Sequence, residues 1–528
     1  MRTLIKNGYV ITMDAQLTIL DAGSVLIEDE RIAWVGEGEV PQEFASPPPD
    51  RTIEASKRIV LPGLINCHLH STADYWKGNV DALSLEPFLL YAHPYAASLR
   101  LSPEQLYLRH MTSAIEMLET GTTSAIDDTV HMPSPVDPRP EVALAAYRES
   151  VEAAISCYRD TGMRTWVTCN VLDRVMYETI PWFGELLPAE YRREFDARPF
   201  PSTQELVAFL DDTVGSLGGA TGDRVRLALA PNGSTRCSDE LLVATSRLAH
   251  KYGTLVVSHI QESKAEFVLD ERTYGTSAVA HLRDLGILDE RFGLVHAVWL
   301  TEEDLDIVAE SGCSVITNPV SNLKLGNGVA PVMALLSRGA HVAIGTDGPT
   351  ANDSANLFEG MKILAIVQRL WDPDFNRWPG AMDVLRLATN GGAYATGEFD
   401  QLGAIEVGRR ADLTLLDADS IAYTPFHEPV RQIVYADIGG SVDTVLVDGR
   451  VVVEGGRVVS IDREGILQAF RDAYSDIIPA VRESIAQAER YRPYMDEAYH
   501  RASRVPTSVR PVLWSPPEPQ GAEPRDPR

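Results

Sequence analysis

The 528-residue chain carries 75 acidic against 47 basic side chains, a net charge of −28, which excludes a nucleic-acid binder and a protein that sits on an anionic membrane surface. With 45% hydrophobic and 23% charged residues, it has the make-up of a soluble globular enzyme, long enough for one large barrel with an appended domain. Five scattered cysteines, Cys67, Cys157, Cys169, Cys237 and Cys313, without a Cys-x-x-Cys pair, exclude a disulfide frame and a thiolate zinc site and point to a reducing, cytoplasmic compartment.

The first residues, Met1 to Gly8, lack a signal-peptide core, and no apolar run approaches the roughly 18 residues of a membrane span. Residues 1–60 then alternate apolar and polar positions between turn signals. Thr3-Leu4-Ile5, Tyr9-Val10-Ile11, Ser24 to Ile27 and Arg31 to Val35 read as short antiparallel strands. A matching set returns at Asp412 to Leu416, Thr444 to Arg450 and Val451 to Glu454, with Asp448-Gly449 as a hairpin turn. Residues 1–60 and 401–460 are therefore expected to form one small β-sandwich built from both chain ends.

Between residues 61 and 400 strand-like runs alternate with helix-like stretches. After a first run near Ile65 come Ser124 to Ile126, Thr165 to Thr168, Val225 to Leu229, Leu255 to Ser258, Gly293 to Val295, Ser314 to Ile316 and Val342 to Gly345. Helices are expected between them, such as Pro103 to Glu119, Pro140 to Arg159 and Ser238 to Lys251. Eight strands in this alternation predict an α/β fold, a (β/α)8 TIM-like barrel. The aromatic-rich stretch 173–202 interrupts the rhythm and reads equally as a lid over the barrel mouth or as an oligomer contact. A C-terminal helical segment follows over residues 461–504, with its helix expected from Glu464 to Arg490. The proline-rich residues 505–528 are expected to be extended or disordered.

The chemistry begins after Arg58 to Leu61, a short apolar strand that Pro62-Gly63 punctuates. The run Leu64 to Cys67 delivers His68 and His70. On an extended backbone, residues i and i+2 face the same side, so the two imidazoles make half of a metal site. His259 ends strand five, His296 strand six and Asp347 strand eight, and in a parallel barrel these strand ends converge on one face. One such residue alone is more often a core histidine or a turn aspartate; five on one face point to a metal.

These motifs, Pro62-Gly63-Leu64-Ile65-Asn66-Cys67-His68-Leu69-His70, His259-Ile260-Gln261-Glu262-Ser263, His296-Ala297-Val298-Trp299-Leu300, Asn318-Pro319-Val320-Ser321-Asn322-Leu323-Lys324 and Gly345-Thr346-Asp347-Gly348, resemble the amidohydrolase superfamily. Within it they resemble the group of triazine hydrolases, S-adenosylhomocysteine deaminases and guanine deaminases. The resemblance runs through most of residues 1–460. It implies that His68, His70, His259 and Asp347 hold one divalent ion per subunit, zinc first and iron as the alternative. Binuclear relatives bridge two metals with a lysine before the third histidine. No lysine occurs here between Lys77 and Lys251, which favours the mononuclear form.

The resemblance further implies that the metal lowers the pKa of its bound water to about 7. It implies that Glu262 is the general acid/base, that His296 hydrogen-bonds the attacking oxygen, and that Asp347 shares the proton shuttling. Trp76, Asp128 and His131 (with Tyr75) follow strands one and two, Asn318 (with Asn322 and Lys324) follows strand seven, and Asn352 (with Asp353) follows strand eight; all are candidate substrate contacts. One departure stands out. Several deaminases of the group carry a histidine after strand four, where this chain has Ala230-Pro231-Asn232-Gly233-Ser234. The implied activity is hydrolysis of a non-peptide C–N bond (amine, amide or urea) in a small cyclic or aryl substrate. The alternatives are an aryl C–Cl hydrolase of the triazine type and a catalytically inactive scaffold. A homo-oligomer, a dimer or larger, is expected.

Overall fold

The structure, a computed structural model, describes residues 1–44, 46–92, 101–129, 139–197, 201–218, 224–372, 374–509 and 511. Strand β1 (Arg2–Ile11) organises the N-terminal part. It pairs antiparallel with β2 (Ile19–Glu28), which pairs with β3 (Arg31–Glu37). On its other edge β1 changes partner midway, running parallel to β4 (Arg51–Glu54) along its first half and to β5 (Arg58–Pro62) along its second. The change occurs at a register break next to Asn7, whose φ is +64°. The two strands expected at Thr3–Ile5 and Tyr9–Ile11 are thus one strand bent at a bulge.

Gly63 separates two sheets. Before it, β5 belongs to the sheet of the chain ends; after it, β6 (Leu64–Leu69) opens the barrel. A Cβ at residue 63 would stand 2.1 Å from Thr123 Oγ1, so only glycine lets the chain cross from one sheet to the other here. The barrel continues with β7 (Thr122–Asp127), β8 (Arg164–Val171), β9 (Val225–Pro231), β10 (Val256–Ile260), β11 (Phe292–His296), β12 (Ser314–Thr317) and β13 (His341–Ile344), parallel and in sequence order. Its interior packs Trp166 against small and branched neighbours, among them Cys67, Ala228, Ala230 and Ala343, the filling expected of a barrel core. The seam closes where the N–H groups of Thr346 and Asp347 donate to the His68 carbonyl at 3.0 and 2.9 Å. Asn66 laces the same seam, donating to Thr346 Oγ1 at 2.8 Å and accepting from Thr346 N–H at 3.1 Å.

The chain returns to the first sheet with β14 (Leu413–Asp417), β15 (Val442–Val447), β16 (Arg450–Glu454) and β17 (Arg457–Val458). β14 pairs with β5, so both ends of the chain form one mixed nine-stranded sheet. Ile5, Val25 and Ile27 pack with Val60, Leu413 and Leu446 in one buried cluster, so this sheet wraps its own core as a sandwich does. Asp448 and Gly449, with φ of +48° and +70°, turn β15 into β16 as the hairpin signal predicts.

A 42-residue helix, Arg463–Arg504, follows. It passes through Pro479 and Pro493, residues that would end an isolated helix, because Tyr491, Met495 and Ala498 bury their side chains on either side of the second proline. At roughly 1.5 Å per residue it is about 60 Å long. It starts beside Glu119, held by Arg463 at 2.7 Å, and ends where the Ser503 carbonyl accepts from Lys264 Nζ at 2.7 Å. Beyond Pro511 the expected tail lies outside the described residues.

The barrel is fastened to the sheet by charge. Buried Arg164, at the start of β8, donates to Asp412 at 2.8 and 3.2 Å and also to Asp448, which accepts from Arg410 at 3.0 Å. The guanidinium helps hold the Asp448 carboxyl below its ordinary value against the opposing effect of burial. Arg164→Ala would leave two buried carboxylates short of a counter-charge, and we expect it to cost about 3–5 kcal/mol, read as a lowered urea midpoint.

Candidate metal centre

The C-terminal ends of the barrel strands collect the titratable residues. His68 lies in β6 and His70 follows it; their rings stand 4.6 Å apart, as the i, i+2 spacing predicts. His259 is in β10, His296 closes β11 and Asp347 lies just beyond β13. Gln261, His296 and Asp347 have φ of +49°, +70° and +63°, left-handed values that cost a non-glycine residue of order 1–3 kcal/mol and break the alternation of the strands they end. The glycines of Gly345-Thr346-Asp347-Gly348 are set by the histidines. A Cβ at Gly345 would lie 2.8 Å from His68 Cβ and 2.3 Å from Asn318 Oδ1, and one at Gly348 would lie 3.1 Å from His70 Cβ.

Hydrogen bonds fix which ring nitrogens face the centre. His70 Nδ1 donates to the Asp128 carbonyl and His259 Nδ1 to the Asn232 carbonyl, each at 2.6 Å. This leaves two unprotonated Nε2 atoms facing one another at 3.3 Å. Asp347 Oδ1 lies 3.4 Å from His70 Nε2 and 3.6 Å from His68 Nε2. His68 is fully buried with neither ring nitrogen hydrogen-bonded. Asp128 joins from the other side, with Oδ2 3.8 Å from His259 Nε2. The possible ligand atoms of His68, His70, Asp128 and His259 lie within 4.8 Å of one another, and so do those of His68, His296 and Asp347. Lone pairs converge on a buried point, and the His70 and His259 rings turn their N–H groups away from it. A divalent cation fits that demand, and the imidazole–carboxylate donor set suits zinc or iron.

Protonation is arranged to match. Burial pushes the His259 imidazole well below its ordinary value, and its imidazole neighbours add to the effect. Burial likewise lowers His296 to about 3. Burial acts to raise Asp347, but His68, 3.6 Å away, with His296 and His70 close by, outweighs it and holds the carboxyl well below the usual range. Glu262 goes the other way: burial, with the carboxylates of Glu266 and Asp347 nearby, raises it well above an ordinary glutamate. The result is neutral imidazoles at His259 and His296, a charged aspartate and a glutamate able to carry a proton.

Glu262 stands beside this group, with Oε2 3.5 Å from His296 Nε2 and Oε1 accepting from Asn327 Nδ2 at 2.9 Å. His296 Nδ1 donates to Asn322 Oδ1 at 2.8 Å, while Asn318 Nδ2 lies 3.3 Å from the same nitrogen. Asn352 Nδ2 donates to the Thr346 carbonyl at 2.8 Å and holds the loop after β13. The Oδ1 atoms of Asn318 and Asn352 are buried without a partner. Trp76 is buried in an apolar cluster with Leu108, Ile477 and Val481, while Tyr75 stacks on Phe470 and donates to the Gln105 carbonyl. His131 lies outside the described residues.

Sequence reasoning missed three supports. Asn170 Nδ2 donates to Asp128 Oδ1 at 2.8 Å, and Asn170 Oδ1 accepts from Asn232 Nδ2 at 3.0 Å, so a belt of amides joins strands two to five behind His259. Asn327 was hidden in an ordinary polar loop. The third is the wall of the mouth. Phe183 and Phe195 of the 173–202 stretch pack with Phe88, Leu325, Tyr491 and Met495, and Arg490 pairs with Glu194 at 2.6 Å. The stretch is therefore docked on the chain's own C-terminal helix.

The bond to Asn322 predicts that His296 carries its proton on Nδ1. Nitrogen-15 NMR of the neutral ring checks this, and we expect Asn322→Leu to shift the tautomer toward Nε2–H.

A family model described as "Amidohydrolase family" matches residues 59–452. The chain is 31% identical over 464 residues to a 5′-deoxyadenosine deaminase of Methanothermobacter thermautotrophicus, covering 87% of this chain and 97% of that one. It is also 31% identical to a 5-methylthioadenosine/S-adenosylhomocysteine deaminase of Syntrophobacter fumaroxidans, with coverages of 89% and 96%. Among solved structures it resembles an adenosine deaminase of Xanthomonas campestris with bound zinc (26% identity, TM-score 0.76, covering 90% and 98%). It also resembles a zinc-bound atrazine chlorohydrolase of Arthrobacter aurescens (25%, TM-score 0.78, covering 89% and 100%). The chain belongs to the amidohydrolase family, as a hydrolase of C–N bonds other than peptide bonds.

Proposed function

We propose that this protein is a mononuclear zinc hydrolase that deaminates an amino-substituted heterocycle of the aminopurine type, releasing ammonia. The observation that carries the reading is the convergence of His68, His70, His259 and Asp347 on one buried point, with Glu262, whose carboxyl is raised by burial, beside it. A divalent ion held by these four residues would acidify a water to a pKa of about 7 and polarise the carbon under attack.

The remaining steps belong to the side chains. His296 Nε2, unprotonated because Nδ1 is committed to Asn322, accepts a hydrogen bond from the attacking water and fixes its direction. Glu262 Oε2 takes a proton from that water as its oxygen bonds to the ring carbon, and gives the proton to the adjacent ring nitrogen. Asp347 moves the second water proton to the amino group, the C–N bond breaks, and ammonia leaves with a carbonyl in its place. The unpartnered Oδ1 atoms of Asn318 and Asn352 are the acceptors we assign to substrate N–H groups, and Asp128, with Oδ2 3.8 Å from His259 Nε2, borders the same centre.

A second reading, displacement of an aryl substituent as in a triazine, is favoured by Asn232. Its side chain is spent on Asn170 and offers no imidazole to a nucleoside. We also propose an intracellular homo-oligomer. Five free, buried cysteines fit a reducing compartment, and the exposed Ile366, Leu370, Trp371 and Phe375 give an assembly an apolar patch to bury. Among the described residues no helix is long and apolar enough to cross a membrane.

Incubating the metal-loaded protein with 5′-deoxyadenosine, S-adenosylhomocysteine and chlorotriazines should release ammonia from an aminopurine. Chloride release alone would move the assignment to the second reading. His259→Ala and Asp347→Asn should lose bound metal and turnover together by elemental analysis and assay. Glu262→Gln should keep the metal and lose about 10²- to 10⁴-fold in kcat; wild-type turnover in that variant would remove Glu262 from the mechanism.

A further inference from the structure

We infer that Asn327 is the positioning residue of Glu262, an inference that rests on the proton-carrying role proposed for that glutamate. Asn327 is buried, and its Nδ2 donates to Glu262 Oε1 at 2.9 Å. With an N–H group as partner, Oε1 is held as an acceptor, so the exchangeable proton resides on Oε2. Oε2 is the oxygen that lies 3.5 Å from His296 Nε2. A free carboxyl can rotate and exchange its two oxygens; the hydrogen bond holds Glu262 with its working oxygen toward the centre. Among the described residues no second donor reaches this side chain. Its nearest charged neighbours include the carboxylates of Glu266 and Glu86, and the Glu262 backbone N–H donates to Glu266 Oε2 at 2.9 Å.

Asn327 is itself held from three directions. Its N–H donates to the Asn322 carbonyl at 2.8 Å, and its carbonyl accepts from Trp299 Nε1 at 2.9 Å. Gly328, with φ of +121°, lets Pro511 lie against the loop: a Cβ there would stand 2.7 Å from the Pro511 carbonyl. That carbonyl accepts from Val329 N–H at 2.8 Å. The same C-terminal segment reaches the other side of Glu262 through Lys264 and the Ser503 carbonyl. The donor is therefore pre-set before substrate arrives, which is what a positioned proton carrier requires.

The test uses the full-length, metal-loaded protein with 5′-deoxyadenosine as substrate and the variants Asn327→Ala and Asn327→Ser. Loss of the bond that orients the carboxyl should lower kcat of Asn327→Ala about 10- to 100-fold, with KM within about threefold and bound metal and thermal midpoint unchanged. Asn327→Ser, which keeps a donor, should recover part of that loss. In parallel, substrate-free infrared spectra identify the Glu262 carboxyl band as the one lost in Glu262→Gln; that band should shift in Asn327→Ala. Wild-type kcat in Asn327→Ala, a kcat loss that the serine does not relieve, or an unmoved Glu262 band would each overturn the inference. If the wild-type protein does not deaminate 5′-deoxyadenosine, that substrate assignment fails and the infrared band alone decides the role of Asn327.

Discussion

The centre depends on the seam where the last barrel strand meets the first. Asn66 binds Thr346 from both sides of its amide, and the His68 carbonyl takes the N–H groups of Thr346 and Asp347. The same contacts that close the barrel carry Asp347 to within 3.4–3.6 Å of two histidines of strand one. Residues 279 positions apart thus meet through backbone geometry before any ion is considered. The close fit leaves no space for a Cβ at residue 345. A barrel that failed to close would separate the carboxylate from the imidazoles, so the architecture and the chemistry share one set of hydrogen bonds.

Around that seam the protein spends its polar groups on orientation. Each ring nitrogen turned away from the centre in His70, His259 and His296 has a carbonyl or amide acceptor. The belt from Asp128 through Asn170 and Asn232 to His259 spreads this constraint over four strands. Such outer partners fix tautomer and direction, and thereby decide whether a lone pair or a proton faces the centre. Left-handed backbone at Gln261, His296 and Asp347 is the strain that the arrangement tolerates.

The mouth is shaped by parts of the chain that the barrel itself does not need. The long C-terminal helix begins beside Glu119 and ends near Lys264, packing on the way against Phe88 and Phe195 in the loops after strands one and three. These loops are therefore docked in one apolar cluster. Length and sequence favoured a terminal helix, yet its extent past Pro493 follows from the side chains it buries.

Pattern and motif already pointed to the α/β barrel, to the sheet shared by both chain ends, and to the histidines, aspartate and glutamate that the fold brings together. Strand periodicity, hairpin turns and residues at strand ends are local signals, and parallel order places those ends on one face. Pro62-Gly63 marked the break between two apolar runs, but no local signal said that the strands on either side pair in different sheets. Nor did the sequence single out Asn170, Asn232 and Asn327, which read as ordinary loop or strand amides until their partners, tens of residues away, are known. Tertiary structure alone decided those pairings, because a hydrogen bond to a buried carboxylate or imidazole is fixed by how strands and loops pack rather than by the residues beside it.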